Sequence, residues 1–390
     1  MDTEADIVIV GGGIMGAALA FWLTHLEPGA SVVVVERDPT YAMASSALSA
    51  ASIRQQFTTP VNIRISQASI NILRTVGELL EVEGSKPDIG LTESGYLYLA
   101  GESGAQSLRR AQAIQTQHGA AVALLDVAQL AERFPWLETG DLALGSFGLS
   151  GEGWFDGYSL LTAFMAKARS QGVRLVRGEV KGLEVTKRRI GAAILADGSR
   201  ITCGHLVNAA GPWARSIARF AGVNLPVFAR RRTVFVVACK TLLRPFPLLI
   251  DSSGFWIRPE GMSFIAGLAP DNDSEEVPLE PELESFESKL WPALAARIPA
   301  FEAVRLERAW AGYYEMNVFD HNGIVGLHPE KTNLGFMNGF SGHGMQQGPV
   351  VGRGMAELIL RGRFTTVDLS ALAYERLLEG RPLTELNVIG

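Results

Sequence analysis

The sequence predicts an α/β chain: a Rossmann-like dinucleotide-binding domain in discontinuous pieces, joined to an α+β domain built on a large mixed or antiparallel sheet. Three observations predict it. A strand, a glycine turn and a helix open the chain, a second unit of the same kind closes it, and strand-like, aromatic segments fill much of the stretch before that second unit.

Asp6 to Val10 is a short apolar run rich in β-branched residues, ending on Gly11-Gly12-Gly13-Ile14-Met15-Gly16, and an apolar helical stretch from Ala17 to Leu26 follows at once. A second strand, Ser31 to Val35, stops at Glu36, twenty positions beyond Gly16, the spacing of an acid that binds a ribose hydroxyl. Gly11 permits the tight turn, Gly13 lets the backbone approach a pyrophosphate, and Gly16 lets the helix pack close to the strand. The helix start, with Ile14 and Met15 in its first turn, then offers free N–H groups and a positive dipole end to phosphates. Ile7 to Thr24 carries no charge and has the length of a membrane span, but its glycines cluster at the turn and acidic Asp2, Glu4 and Asp6 precede it. Neither a signal peptide nor a transmembrane segment is expected.

With 390 residues, 47% hydrophobic and 19% charged, the chain is long enough for two globular domains. A net charge of −6 and a pI near 5.7 argue against a nucleic-acid or anionic-membrane partner, which needs a basic surface. Arg109-Arg110 and Arg230-Arg231-Arg232 read as solvated or strand-end charges. Cys203 and Cys239 lie far apart and the six histidines have no ligand spacing, so no disulfide framework and no metal are expected, and a reducing cytoplasm is the default.

The elements then follow in order. After Glu36 and Arg37 comes a small-residue loop, Ala42 to Ala51, continuing through Ser52 to Phe57. A helix spans Val61 to Glu81, a strand Thr92 to Ala100, and two helices Ser107 to Gly119 and Val127 to Phe134. Asp156 opens the helix Ser159 to Gln171. Strands at Val173 to Val185, Ile190 to Leu195 and Arg200 to Asn208 follow, with an Asp197-Gly198 turn between the last two. Further strands are expected at Thr233 to Ala238, Gly254 to Arg258, Met262 to Gly267 and Arg305 to Tyr314, with an acidic loop at Asp271 to Pro281 and a helix from Leu283 to Ile298 around Pro292. A strand from Leu334 to Asn338, the turn Gly339 to Pro349 and a helix from Val350 to Leu360 close the chain. This pattern assigns residues 1–88, 150–222 and 323–390 to the dinucleotide domain and 89–149 and 223–322 to a substrate-binding domain.

Glycine turns at both ends can serve one long cofactor, the first its ADP half and the second its far half. On Gly11, Gly13, Gly16 and Glu36, on Ser45-Ser46 with the loop to Arg54, on Asn208-Ala209-Ala210-Gly211-Pro212-Trp213 and on Gly339-Phe340-Ser341-Gly342-His343-Gly344, the chain resembles the D-amino-acid-oxidase superfamily. The branch is that of glycine oxidase, monomeric sarcosine oxidase and dimethylglycine dehydrogenase, and the resemblance covers nearly the whole chain. It implies a GR2-type FAD-binding fold in which Glu36, with Arg37 beside it, holds the adenosine ribose, Ser45, Ser46 and Ser52 line the cofactor, and Val180 offers backbone to adenine. Ala210, Gly211 and Trp213 flank the cofactor. Gly342, His343, Gly344, Met345 and Gln346 lie along the flavin ring, where backbone donors meet the charge that collects on reduction. Relatives that attach flavin covalently use a Cys where this chain has Gly312, or a His before the Arg54 loop, where this chain has none. Non-covalent FAD is therefore expected.

The resemblance implies oxidation of an amine alpha to a carboxylate: hydride leaves for flavin N5 and the imine hydrolyses. Arg54 falls where the family binds the substrate carboxylate, and a guanidinium pairs with a carboxylate through two parallel bonds. Tyr313, Tyr314 and Trp256 are candidate pocket walls, Arg258 a second anion contact for a two-carboxylate substrate such as an iminodiacetate- or opine-like amine, and His343 a possible assistant. Sarcosine oxidase has Lys at the place of Gln346 and another Lys in the region here reading Phe264 to Asp273, which has none. That leaves oxygen or a quinone or electron-transfer partner as acceptor, with a lean to dehydrogenase. The alternatives are a D-amino-acid or proline-type dehydrogenase and a non-catalytic, flavin-stabilised assembly or binding factor.

Overall fold

The computed structural model describes residues 3–271, 273–275 and 278–385. Two eight-stranded sheets organise them. In the first, Thr3–Val10 lies at the centre, parallel to Val32–Glu36 on one side and Arg200–Asn208 on the other. Arg174–Arg177 extends one edge, Leu334–Asn338 and Ile324–Leu327 the other, and the hairpin Val180–Val185 with Ile190–Leu195 branches from Arg200–Asn208. The runs Val8-Ile9-Val10 and Val32 to Val35 are buried, as parallel strands covered on both faces require.

The helix Ile14–Leu26 is apolar all round because it is packed all round. It crosses the helix Gly344–Arg361 so closely that a side chain at Gly352 would stand 2.7 Å from Ala18 Cβ. Trp22 Nε1 donates to Pro349 O at 2.8 Å, holding the crossing in register.

The second sheet runs Arg305–Asn317, Val227–Ala238, Ser263–Gly267, Trp256–Glu260, Leu248–Ile250, Tyr96–Ala100, Leu144–Gly148 and Val122–Leu125. Its pairs are antiparallel except for Leu248–Ile250 on Tyr96–Ala100, so it is mixed. A two-stranded ribbon, Ser52–Ile53 on Gly153–Trp154, pins the loop that leads into Arg54.

Several elements differ from the sequence expectation. The expected strand Val173 to Val185 breaks at Gly178 into two strands that pair with different neighbours. The helix expected from Val61 ends at Arg74, and a short turn Val76–Leu79 replaces its remainder. Leu283 to Ile298 is helical from Glu284 to Arg297, with a π turn at Phe286–Leu290 directly before Trp291–Arg297, which carries Pro292. Strands Val122–Leu125, Leu144–Gly148 and Leu248–Ile250 were not expected, since so few residues carry no readable period. The last helix starts at Gly344, six residues early, and contains Pro349. Of the acidic loop, Asn272, Glu276 and Val277 lie outside the described residues, as does Asp2 at the start.

Candidate active site

The first strand ends at Gly11, where φ is +101° and a Cβ would stand 2.4 Å from Ala209 O. Only glycine fits there, because the neighbouring strand end presses on the turn. Gly16 is excluded from any larger side chain by Gly11 O at 1.9 Å, so the helix start is drawn against the strand. Glu36 is held rigidly: its carboxylate accepts from Gly12 N at 2.8 Å and Asp38 N at 2.9 Å.

These groups open one wall of a cavity of about 910 Å³. From the sequence-derived set, Gly11, Gly13, Ile14, Met15, Glu36, Arg37, Ser45, Ser46, Ser52, Val180, Ala210, Gly211 and Trp213 line it. So do Gly342, His343, Gly344, Met345 and Gln346 and, on the substrate side, Arg54, Tyr313, Tyr314 and Trp256. Gly16 packs behind the turn. Arg258 does not line the cavity: its guanidinium donates to Ala50 O at 2.6 and 3.2 Å and to Pro259 O, and pairs with Glu260, so the second anion contact expected there is committed to backbone.

The serines also have partners within the chain. Ser46 Oγ accepts from Ile14 N at 3.0 Å and Ser45 Oγ donates to Tyr313 O at 2.5 Å. Tyr96 OH donates to Ser52 Oγ. At the other wall the Arg37 guanidinium stacks over Trp213, 3.5 Å from the ring centre.

Arg54 is 2% exposed. Its Nη1 donates to Gln56 O at 2.6 Å, its Nη2 meets His343 Nε2 at 2.9 Å, its backbone N–H donates to Gln346 Oε1 at 2.9 Å, and its plane stacks on Phe57 at 4.1 Å. His343 is held neutral, since burial and then the Arg54 charge push its pKa well below the ordinary 6.5. With Nη2 a donor only, Nε2 is the acceptor, and the ring proton is assigned to Nδ1. Tyr314 closes against the turn: a Cβ at Gly342, where φ is +92°, would stand 2.5 Å from Tyr314 Cε2.

Two cavity residues escaped the sequence reading. Arg232, expected to be a solvated or strand-end charge, is 8% exposed and lines the cavity beside Tyr314, 5.1 Å from its ring centre. The strand register that puts it there, Arg232 opposite Gly312 and diagonal to Tyr314, exists only in the folded ladder. The Glu315 residue is half-buried but its Oε2 is buried and unpartnered, and burial pushes its pKa up to about 7 against the N–H groups of Gly339 and Phe340. A lone acid in the apolar run Gly-Tyr-Tyr-Glu-Met was an available signal.

These observations fit a long dinucleotide. Glycines clear both the Gly11 and Gly342 turns, an acid is fixed at the strand end, and the Glu315 carboxyl on the cavity wall has one oxygen without a partner. Among the described residues there is no group of metal-ligating side chains, and no helix is long and apolar enough to cross a membrane.

A family model described as FAD dependent oxidoreductase matches residues 6–358. FAD-dependent oxidoreductase domain-containing protein 1 of Xenopus laevis is 43% identical over an alignment covering 99% of this chain and 85% of that protein. L-proline dehydrogenase from P. horikoshii superposes with a TM-score of 0.87 at 26% identity, covering 98% of this chain and 100% of that one. Glycine oxidase from Geobacillus kaustophilus superposes with a TM-score of 0.82 at 25% identity, covering 95% and 98%.

Proposed function

The chain belongs to the FAD-dependent oxidoreductase family of the D-amino-acid-oxidase type, and from that premise we propose that it oxidises an amine alpha to a carboxylate, in a secondary or N-substituted amino acid. The observation that carries this reading is Arg54: a buried cation on the cavity wall, oriented by three fixed groups and backed by an aromatic ring.

FAD, when bound, supplies the acceptor for the hydride that leaves the C–H next to nitrogen. The rest falls to the chain. Arg54 takes the substrate carboxylate and so sets where the alpha carbon lies. Neutral His343 holds Arg54 without competing for the carboxylate, and Tyr314 and Trp256 keep water from the reacting carbon. The substrate nitrogen must arrive unprotonated for its lone pair to assist C–H cleavage, and the imine then takes up water to give a carbonyl compound and an amine. Gly344 to Gln346, the first turn of the last helix, would present N–H groups and a positive dipole end to the edge of the flavin where charge collects.

The likeness to L-proline dehydrogenase supports a second reading in which the amine is a ring nitrogen and the electrons pass to a quinone or electron-transfer partner rather than to oxygen. FAD is non-covalent on this reading, with Gly312 at the place of an attaching Cys. On the free Cys203 and Cys239 we place it in a reducing compartment, the cytoplasm by default.

The test is anaerobic mixing of the yellow holoprotein with N-substituted glycines, proline analogues and D-amino acids, following the flavin absorbance. Bleaching by members carrying an alpha carboxylate is expected. No bleaching by any of them removes the proposal, and readmitted air separates oxidase from dehydrogenase.

A further inference from the structure

The cavity holds a second buried guanidinium. Arg232, on Val227–Ala238, sits diagonally across the strand ladder from Tyr314, and the charges of Arg232 and Arg54 both act on the Tyr314 hydroxyl. Two buried cations therefore line one cavity, with the Tyr314 ring 5.1 Å from the second of them. Arg232 has Asp273 as its counter-ion, with Nη1 at 2.6 Å from Oδ1 and Nη2 at 3.3 Å from Oδ2, and Nη1 also donates to Arg231 O at 2.9 Å. Those bonds occupy the end of the guanidinium. Its Nε, which with Nη2 forms the side edge, is buried and has no partner. A carboxylate accepts two parallel N–H bonds from such an edge, and an unmet buried donor on a residue of the cavity wall favours a ligand that meets it.

We propose that Arg232 is a second carboxylate-binding residue and that the substrate is an amine carrying two carboxylates, the first on Arg54 and the second on the Nε edge of Arg232. The inference rests on the amine-oxidation reading for the role of Arg54. Asp273, whose side chain is 42% exposed, is then the counter-ion that competes with the second carboxylate.

Inert thioether ligands test this without turnover. Methylthioacetate carries one carboxylate; thiodiacetate and 3-(carboxymethylthio)propanoate carry two at different spans. Titrated into the yellow holoprotein and read by flavin absorbance, at least one of the two-carboxylate ligands is expected to bind about tenfold or more tightly than methylthioacetate. Arg232→Met should abolish that preference while leaving methylthioacetate binding in place. Asp273→Asn, which removes the competing carboxylate, should widen it, and this variant decides the matter if Arg232→Met does not fold. Equal binding of both ligand classes by the wild type, or a preference untouched by either variant, overturns the role of Arg232 alone. A flavin spectrum that responds to neither class overturns this inference together with carboxylate recognition at Arg54.

Discussion

Arg54 Nη2 lies 2.9 Å from His343 Nε2, joining the loop after the two-stranded ribbon to the turn that starts the last helix. The pair binds segments 289 residues apart in sequence: burial and then the cation keep the imidazole neutral, and the imidazole fixes the cation.

Arg54→Ala is expected to leave FAD bound and to depress kcat/KM for the amine about thirtyfold or more, since losing a buried charge partner costs about 2–5 kcal/mol. Arg54→Lys should recover little, because an ammonium cannot make the paired contact. Steady-state kinetics with the flavin content of each variant check this, and wild-type-like kinetics would falsify the assignment.

The pH profile should come from the substrate. With the His343 pKa held well below 6.5, its ring stays neutral across the working range, so the rate of flavin reduction should climb with pH until the substrate amine is deprotonated. His343→Gln should raise KM, by loosening Arg54, and keep that ascending limb in place. A limb that disappears in the variant would make His343 the titrating group.

Glu315 has a folded pKa of about 7 against an ordinary 4.5. Between those values the folded chain holds a proton that the unfolded chain has released, so this stabilisation is complete below 4.5 and is lost as pH rises through 7. In the FAD-free protein, Glu315→Gln mimics the protonated form and should gain on wild type from pH 5 to pH 8, by up to on the order of 3 kcal/mol. Thermal melting at the two pH values measures it; a constant difference between variant and wild type argues against the shift.

Glu385 reaches back to the active-site loop, accepting from Thr58 N at 2.8 Å and Oγ1 at 2.6 Å and from Thr59 N at 3.1 Å and Oγ1 at 2.8 Å. Glu385→Ala leaves buried donors unmet and should destabilise by roughly 2–4 kcal/mol. A lower Tm with a raised KM is the expected result, since the loop that carries Arg54 loses its anchor. An unchanged KM would show that the anchor serves stability alone.

FAD should pass entirely into the supernatant when the protein is precipitated with acid. Yellow colour retained in the pellet would mean a covalent bond formed through a residue other than Gly312.

Local chemistry carried a large share of this protein in the sequence itself. The Gly11 and Gly16 turn, the spacing to Glu36 and the glycines around His343 are dictated by backbone sterics, which act within a few residues and survive in one dimension. Arg54, which lines the cavity, falls in a contiguous loop motif. Tertiary structure decided the rest. Arg258 and Arg232 are both strand arginines, and the local signal that separates them, the Arg230-Arg231-Arg232 triplet, points the wrong way, toward solvent. Strand register turns one onto Ala50 O and the other into the cavity. For Arg232 that register is set by pairing between segments some eighty residues apart, Val227–Ala238 on Arg305–Asn317, and pairing at that distance leaves no trace in either segment alone.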